Sequence, residues 1–250
     1  AIYQVFSSVE QLATMLQSKN ETERKAKEFL KDTISDISHQ LKTPLAALAM
    51  YQEIIESEPE NAETVKQFAA KMGTSLKRME QLILSMLKIT RLDTGNIIFE
   101  KKSCRVSELI AHSVNELTAR AKNENKQIQI DGDGEQKLIC DMEWTGEAIG
   151  NIVKNALDHT QVGGIVRITW NRTPAMFQIF ISDNGSGIAP EDIHHIFKRF
   201  YRSKHSIDTQ GIGLGLPLAK SIIEGQGGVI SVQSESGKGT LFTLSFLTEL

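Results

Sequence analysis

Apolar side chains recur at threes and fours, or sums of them, through Leu30, Ile34, Ile37, Leu41, Leu45, Leu48 and Ile55. That spacing predicts an amphipathic helix packed in a bundle. The stretch "SEPENAE" (57–63) breaks it with a proline and acidic residues suited to a turn and a helix start. A second series follows in Val65, Phe68, Met72, Leu76, Met79, Ile83 and Met86, so the two helices form a hairpin. Each stripe is narrow, and the hairpin alone buries it poorly; a homodimeric four-helix bundle covers it. Upstream, Phe6, Val9, Leu12 and Leu16 continue a heptad-like series that weakens through "QSKNETERK" (17–25). Residues 1–30 are expected to be a helical or coiled-coil lead-in, the alternative being a solvated tail.

After "RLDTGN" (91–96) the periodicity changes. Strands are expected at 97–101, at "IQI" and "KLIC" either side of "DGDGEQ", at 165–170 and 176–183 as a hairpin, and in "VISVQ" and "TLFTLSF" at the end. Helices are expected at 106–123, 143–159 and 217–225, with a glycine-rich irregular region before the last. This predicts an α+β chain: a hairpin domain at 31–93, then an α/β sandwich at 94–250 with one mixed sheet and helices on one face.

Composition narrows the function classes. The 250 residues carry a net charge of -3 and are 40% hydrophobic. That is a globular composition without the basic footprint of a nucleic-acid binder. Cys104 and Cys140 lack metal-ligand spacing and read as reduced thiols. No apolar run approaches the ~18 residues of a membrane span. The chain starts at Ala1 rather than Met, so a membrane segment upstream of it is not excluded.

Three pieces of the second domain carry candidate chemistry. Asn151 and Asn155 lie four apart on one helix face. Two neutral oxygen donors there suit Mg²⁺ that keeps its waters and bridges phosphates, although paired helical asparagines are more often plain surface residues. In "DNGSGI" (183–188), Asp183 can accept a hydrogen bond from an exocyclic amine, while Gly185 and Gly187 let backbone approach a planar base. In "GIGLGL" (211–216), Gly211, Gly213 and Gly215 expose N–H groups at a helix N-terminus, a phosphate-binding arrangement. Neither a Rossmann fingerprint nor a G-x-x-x-x-G-K-[ST] loop is present. Between the last two pieces, "IFKRFYRSKHSIDTQ" (196–210) reads as a mobile lid. Phe197 and Phe200 would anchor it, and Arg199, Arg202 and Lys204 would face phosphates.

In this order and spacing, with "SHQLKTPL" (38–45) on the first helix, the chain resembles the catalytic core of a two-component sensor histidine kinase over roughly residues 30–250. The resemblance implies a Bergerat-type ATP-binding fold for the second domain and a dimerisation and phosphoacceptor role for the hairpin. It makes His39 the phosphorylated residue, Asn155 the Mg²⁺ ligand with Asn151 near the phosphates, and Asp183 the partner of the adenine amine. Gly185, Gly187, Gly211, Gly213 and Gly215 would frame the pocket and lid hinge, and "GKGT" (237–240) would be a structural turn. Where the family often has Lys or Arg and then Tyr, this chain has Asp158 and His159. His159 stays a loose candidate, and Arg199, Arg202 or Lys204 is left to supply the missing charge. The resemblance also implies a response regulator receiver domain as partner and a place in the cytoplasmic portion of a bacterial inner-membrane sensor.

The heptad orients His39. With Ile37 and Leu41 facing the core, His39 lies about 160° round the helix from both, at ~3.6 residues per turn, and points to solvent. Imidazole is largely neutral at cytoplasmic pH without special tuning. Pro44 removes an N–H and crowds the carbonyl of Gln40, so a kink is expected. Gln40 stands where the family usually has Glu or Asp; its amide oxygen can orient the imidazole but cannot act as its base. Thr43 is, by resemblance, the residue that positions water for dephosphorylating the partner, or else a surface residue bonded back to the helix. An ATP-dependent histidine autokinase is therefore expected, one that is also a phosphatase of its partner. The alternative is an ATP-binding pseudokinase or phosphatase-biased scaffold.

Overall fold

A computed structural model describes residues 2–203 and 211–248, with side chains at 24, 27, 28, 31 and from 33 onward. The chain divides into two compact units, 1–81 and 82–250.

In the first unit, α1 (Ile2–Ser57) runs as one helix through Pro44, so the proline does not interrupt it. The heptad-like positions Phe6 to Leu16 are helical, with side chains outside those described. The turn into α2 (Ala62–Asp93) is fixed by Asn61, whose Oδ1 accepts the Thr64 N–H at 3.2 Å. Glu58 accepts from Asn61 Nδ2 at 3.2 Å and from the Thr64 hydroxyl at 3.0 Å. Tyr51 and Phe68 pack across the hairpin with ring centroids 5.6 Å apart, and the Lys71 ammonium lies 4.5 Å from the Phe68 ring. Among the described residues of this unit no apolar side chain is fully buried, and Ile34, Leu45, Met50 and Leu76 are each more than half exposed. The stripe expected to need a partner is an open apolar surface.

The last turns of α2 belong to the second unit, where Leu82, Met86 and Ile89 are buried. The strand expected at 97–101 is irregular. Its backbone is satisfied by a side chain instead: Asp141 Oδ2 accepts the Glu100 N–H at 2.9 Å, while Phe99 meets Trp144 edge-on at 6.2 Å. The strand comes later, β1 (Lys102–Arg105), and leads directly into α3 (Val106–Asn123). Next come β2 (Gln127–Asp131), β3 (Lys137–Cys140), α4 (Met142–His159), β4 (Ile165–Arg172) and β5 (Met176–Asp183). The short α5 (Pro190–Ile193), α6 (Gly215–Gly225), β6 (Val229–Glu235) and β7 (Gly239–Leu247) complete the order.

Two sheets form rather than the single one expected. β1 and β3 make a separate antiparallel pair, and the main sheet is ordered β2-β4-β5-β7-β6. It is mixed: β2 and β4 run parallel, the other neighbours antiparallel. Alternation puts Ile168, Ile181 and Phe242 in one cross-strand row and Trp170, Ile179, Leu244 and Ile230 in the next. All seven are buried, against a helical layer that supplies Leu109 and Ile110 of α3, Ile149, Ile152 and Val153 of α4, and Leu218 and Ile222 of α6. The opposite face is polar, with Arg167 bonded to Gln129 and Gln178 to Ser245.

Asp141 holds the entrance to α4. Its Oδ1 accepts the Trp144 N–H at 3.2 Å, and its own N–H donates to Gln226 Oε1 at 2.7 Å. Replacing a helix-capping Asp costs ~1 kcal/mol, up to ~2, and here a second backbone donor, Glu100 N–H, also loses its acceptor. Asp141→Ala should therefore destabilise the second unit by about 2 kcal/mol in urea unfolding followed by tryptophan fluorescence. A change below about 0.5 kcal/mol would contradict this role.

Candidate functional site

α4 is amphipathic in a useful way. Ile149, Ile152, Val153, Ala156 and Leu157 are fully or almost fully buried. The turns between them carry Asn151, Asn155, Asp158 and His159 on the other side, at three- and four-residue spacing. Asn155, Asp158 and His159 line a cavity of about 460 Å³. Asp183, at the end of β5, closes another wall together with Thr240 of β7, its partner in the ladder.

The turn after β5 touches the end of α4. Ser186 N–H donates to the His159 carbonyl at 3.2 Å, and a Cβ on Gly185 would lie 2.3 Å from that oxygen, so no side chain fits there. Gly187 has φ +67 and its Cβ would lie 2.1 Å from the Glu235 carbonyl oxygen, which excludes other residues on both counts. Gly187 lines the cavity; Gly185 shapes it from behind.

Burial pushes the Asp183 carboxyl above the usual aspartate range. Hydrogen bonds from the N–H groups of Gly185 (2.9 Å) and Thr240, and the proximity of His159, act the other way. A half-buried carboxyl aimed into a cavity suits a ligand that donates a hydrogen bond.

The remaining candidates separate. Gly211 and Gly213 line the cavity, whereas Gly215, the first residue of α6, packs on Asn151, its notional Cβ 3.1 Å from Asn151 Oδ1. Asn151 donates to the Glu147 carbonyl at 3.0 Å and is not among the lining residues. Arg202 lines the cavity. Arg199, expected to face phosphates, is outside the lining and ion-paired with Asp93. Lys204 lies outside the described residues. Phe197 anchors its segment edge-on to the core residue Phe242, at 6.4 Å, and Phe200 N–H donates to the Gly213 carbonyl at 2.9 Å. His39 and Thr43 are exposed on α1 in the first unit, with Gln40 half-exposed beside them.

Sequence reasoning missed four features. Asp158 does line the cavity, but its carboxylate is held by the Arg120 guanidinium at 2.6 Å. Tyr201 and Asp192 both face the cavity and are hydrogen-bonded, which holds the tyrosine above its usual range. Thr240, in a turn read as structural, sits beside Asp183. Asp158 had a sequence signal, its place where the family often has a basic residue, and Thr240 had one in its place at the head of the last strand; Tyr201 and Asp192 had none.

Comparison with known proteins agrees with this geometry. The family described as histidine kinase-, DNA gyrase B-, and HSP90-like ATPase matches residues 140–250, and the His Kinase A (phospho-acceptor) domain matches residues 29–95. The sensor-like histidine kinase SenX3 of Mycobacterium tuberculosis (strain ATCC 25618 / H37Rv) is 30% identical over 217 residues, covering 86% of this chain and 53% of SenX3. The sensor protein SrrB of Staphylococcus aureus (strain MRSA252) is also 30% identical over 217 residues, covering 86% of this chain and 37% of SrrB. The chain thus spans about half the length of these relatives or less. Among solved structures, histidine kinase ThkA in complex with response regulator protein TrrA aligns with a TM-score of 0.75 at 21% identity, covering 92% of this chain and 66% of that one. Acinetobacter baumannii histidine kinase AdeS aligns with a TM-score of 0.69 at 18% identity, covering 84% and 97%. At these identities the structural likeness is one of fold.

The raised Asp183 carboxyl has a stability consequence. A group whose pKa rises on folding contributes fully below its unfolded value, about 3.9 for Asp, and that contribution is lost as pH rises through the folded value. Asn keeps the acceptor oxygen and carries no charge. Asp183→Asn should therefore raise the urea midpoint at neutral pH, with the advantage vanishing below about pH 4. A variant less stable than the parent at both pH values would contradict the assignment.

Proposed function

Because the chain belongs to the two-component sensor histidine kinases, carrying both their phospho-acceptor and their ATPase domains, we propose that it is an ATP-dependent protein-histidine autokinase. The observation that supports this most is the convergence of Asn155, Asp183, Gly187 and Arg202 on one cavity. These are the groups needed for a metal, an exocyclic amine, a planar base and phosphate, and they come from three separated stretches of sequence.

In this reading Asp183 accepts a hydrogen bond from the adenine amine, with Gly187 against the base. Arg202 and Lys204 serve the phosphates, and Asn155 holds Mg²⁺. Among the described residues no three His, Cys, Asp or Glu cluster to hold a metal. Mg²⁺ fits without such a cage, since it binds through one or two protein oxygens, substrate phosphates and waters. Bound there, it supplies charge neutralisation at the phosphates. Alignment then does most of the catalysis. His39 Nε2 attacks the γ-phosphorus, the N–P bond forms, and the bond to the ADP oxygen breaks. Gln40 accepts the Nδ1–H and so keeps the lone pair on Nε2.

The phosphoryl group passes next to an aspartate of a response regulator receiver domain. Thr43 positions water when the same protein removes phosphate from that regulator. The exposed stripe of the first unit is covered by a second copy in a homodimer. No described helix is long and apolar enough to cross a membrane. Attachment to a membrane is through a segment upstream of this chain, which makes it the cytoplasmic portion of a sensor. The net charge of -3 offers no electrostatic footprint for nucleic acid.

Incubation with γ-labelled ATP and Mg²⁺ should give an acid-labile label that His39→Ala abolishes while nucleotide affinity is retained. Acid-stable label surviving that change would contradict the proposal. In calorimetry, Asn155→Ala should remove Mg²⁺-dependent ATP binding; unchanged affinity would contradict the metal assignment.

Gln40 sets the rate. General-base assistance is worth ~10²–10⁴-fold, and at an exposed site water shares the task, so the low end or less applies. Gln40→Glu should raise the autophosphorylation rate at saturating ATP with little change in ATP affinity, and Gln40→Leu should lower it. If neither changes the rate, Gln40 does not touch the reacting imidazole, and the phosphatase-biased alternative gains weight.

A further inference from the structure

The function proposed above uses neither cysteine, yet the fold brings the two together. Cys104 and Cys140 are 36 residues apart in sequence. In the antiparallel pair of β1 and β3, Cys104 stands opposite Leu138 and Cys140 opposite Lys102. The thiols are therefore diagonal neighbours on one face of the ladder, with their sulfurs 3.4 Å apart. No disulfide joins them.

Their surroundings differ in a way that assigns roles. Both border an open groove of about 760 Å³, lined also by Lys102, Arg105, Lys137 and Trp144. Cys104 is half-buried and Cys140 is 1% exposed. A solute entering the groove reaches Cys104 first. The hydrogen bond from Cys140 holds the Cys104 thiol below its usual range, while that same bond and burial push Cys140 up. The reactive species of a cysteine is the thiolate, so Cys104 is the attacking sulfur and Cys140 the resolving one. To bond, the sulfurs must close from 3.4 Å to about 2.05 Å, a short approach between side chains already on one face of a two-stranded ladder.

We propose that Cys104 and Cys140 form a reversible thiol–disulfide site that is oxidised by small hydroperoxides. The Cys104 thiolate attacks one peroxide oxygen; the O–O bond breaks, and the other oxygen leaves as hydroxide and takes a proton to become water. Cys104 is then a sulfenic acid. The Cys140 sulfur attacks the Cys104 sulfur, the S–O bond breaks, and the departing hydroxide leaves as water with the Cys140 proton. Two thiols lose two electrons in all, and one hydrogen peroxide becomes two waters. The new bond ties β1 to the residue before Asp141, the cap of α4. The modification thus acts on the helix that carries Asn155.

The test treats the reduced chain with hydrogen peroxide under native conditions, followed by alkylation in denaturant and peptide mass mapping. The expected product is a 104–140 cross-linked peptide with both thiols protected, restored to two alkylatable thiols by dithiothreitol. Cys140→Ser should leave a sulfenic acid on Cys104 that dimedone traps, and Cys104→Ser should leave Cys140 alkylatable. The proposal is overturned if both thiols of the parent chain stay alkylatable, if Cys104 proceeds to sulfinic acid with Cys140 free, or if the only cross-links join two chains. The parent chain alone decides among these, so a variant that fails to fold does not protect the idea.

Discussion

The packing of α4 against the main sheet is the constraint on which the site depends. Ile149, Ile152 and Val153 are entirely removed from solvent, and deleting such side chains costs on the order of 2–5 kcal/mol each. The face they fix leaves Asn155, Asp158 and His159 no choice of direction. The same helix is held at its start by Asp141 and at its end by the turn through Gly185, whose lack of a side chain lets Ser186 bond the last carbonyl. A binding site on a rigid core element needs little ordering when its ligand arrives.

Electrostatics pull against that rigidity. A cavity proposed for a polyanion is lined by Asp158, Asp183 and Asp192 as well as by Arg202. Arg120 neutralises Asp158 at 2.6 Å, and Tyr201 bonds Asp192. Among the described residues Asp183 has no cationic partner this close, and burial raises its pKa. A cost in stability at a position suited to recognition is the pattern expected when a site, rather than the fold, determines the residue. Arg120 also answers the departure from the family pattern at Asp158: the acid is tied to a neighbouring helix.

Most of the fold was legible in the sequence because its signals are local. The helix over 106–123 and the strands over 137–140 and 176–183 have the bounds their patterning implies. The errors are where long-range partners decide. The apolar run at 97–101 looked like a strand, but its backbone partner is an Asp141 side chain 41 residues away. The single sheet became two because β3 pairs with β1 and not with β2. The site followed the same rule. Asp183 and Asn155 announce themselves by local pattern, whereas the pairing of Arg199 with Asp93, 106 residues away, and the meeting of Cys104 with Cys140 have no local signature. His39 was legible as an exposed residue from the heptad alone; the chemistry proposed for it rests on the family resemblance.

The function proposed for this chain requires one cavity to take ATP, with Mg²⁺ on Asn155 and adenine on Asp183. The most direct measurement is a crystal structure of the chain with Mg²⁺ and a non-hydrolysable ATP analogue. The adenine amine is expected within hydrogen-bond distance of the Asp183 carboxyl, and the Asn155 side-chain oxygen in the metal's coordination sphere. Nucleotide bound elsewhere, or bound in this cavity with Asp183 and Asn155 both out of contact, would contradict it.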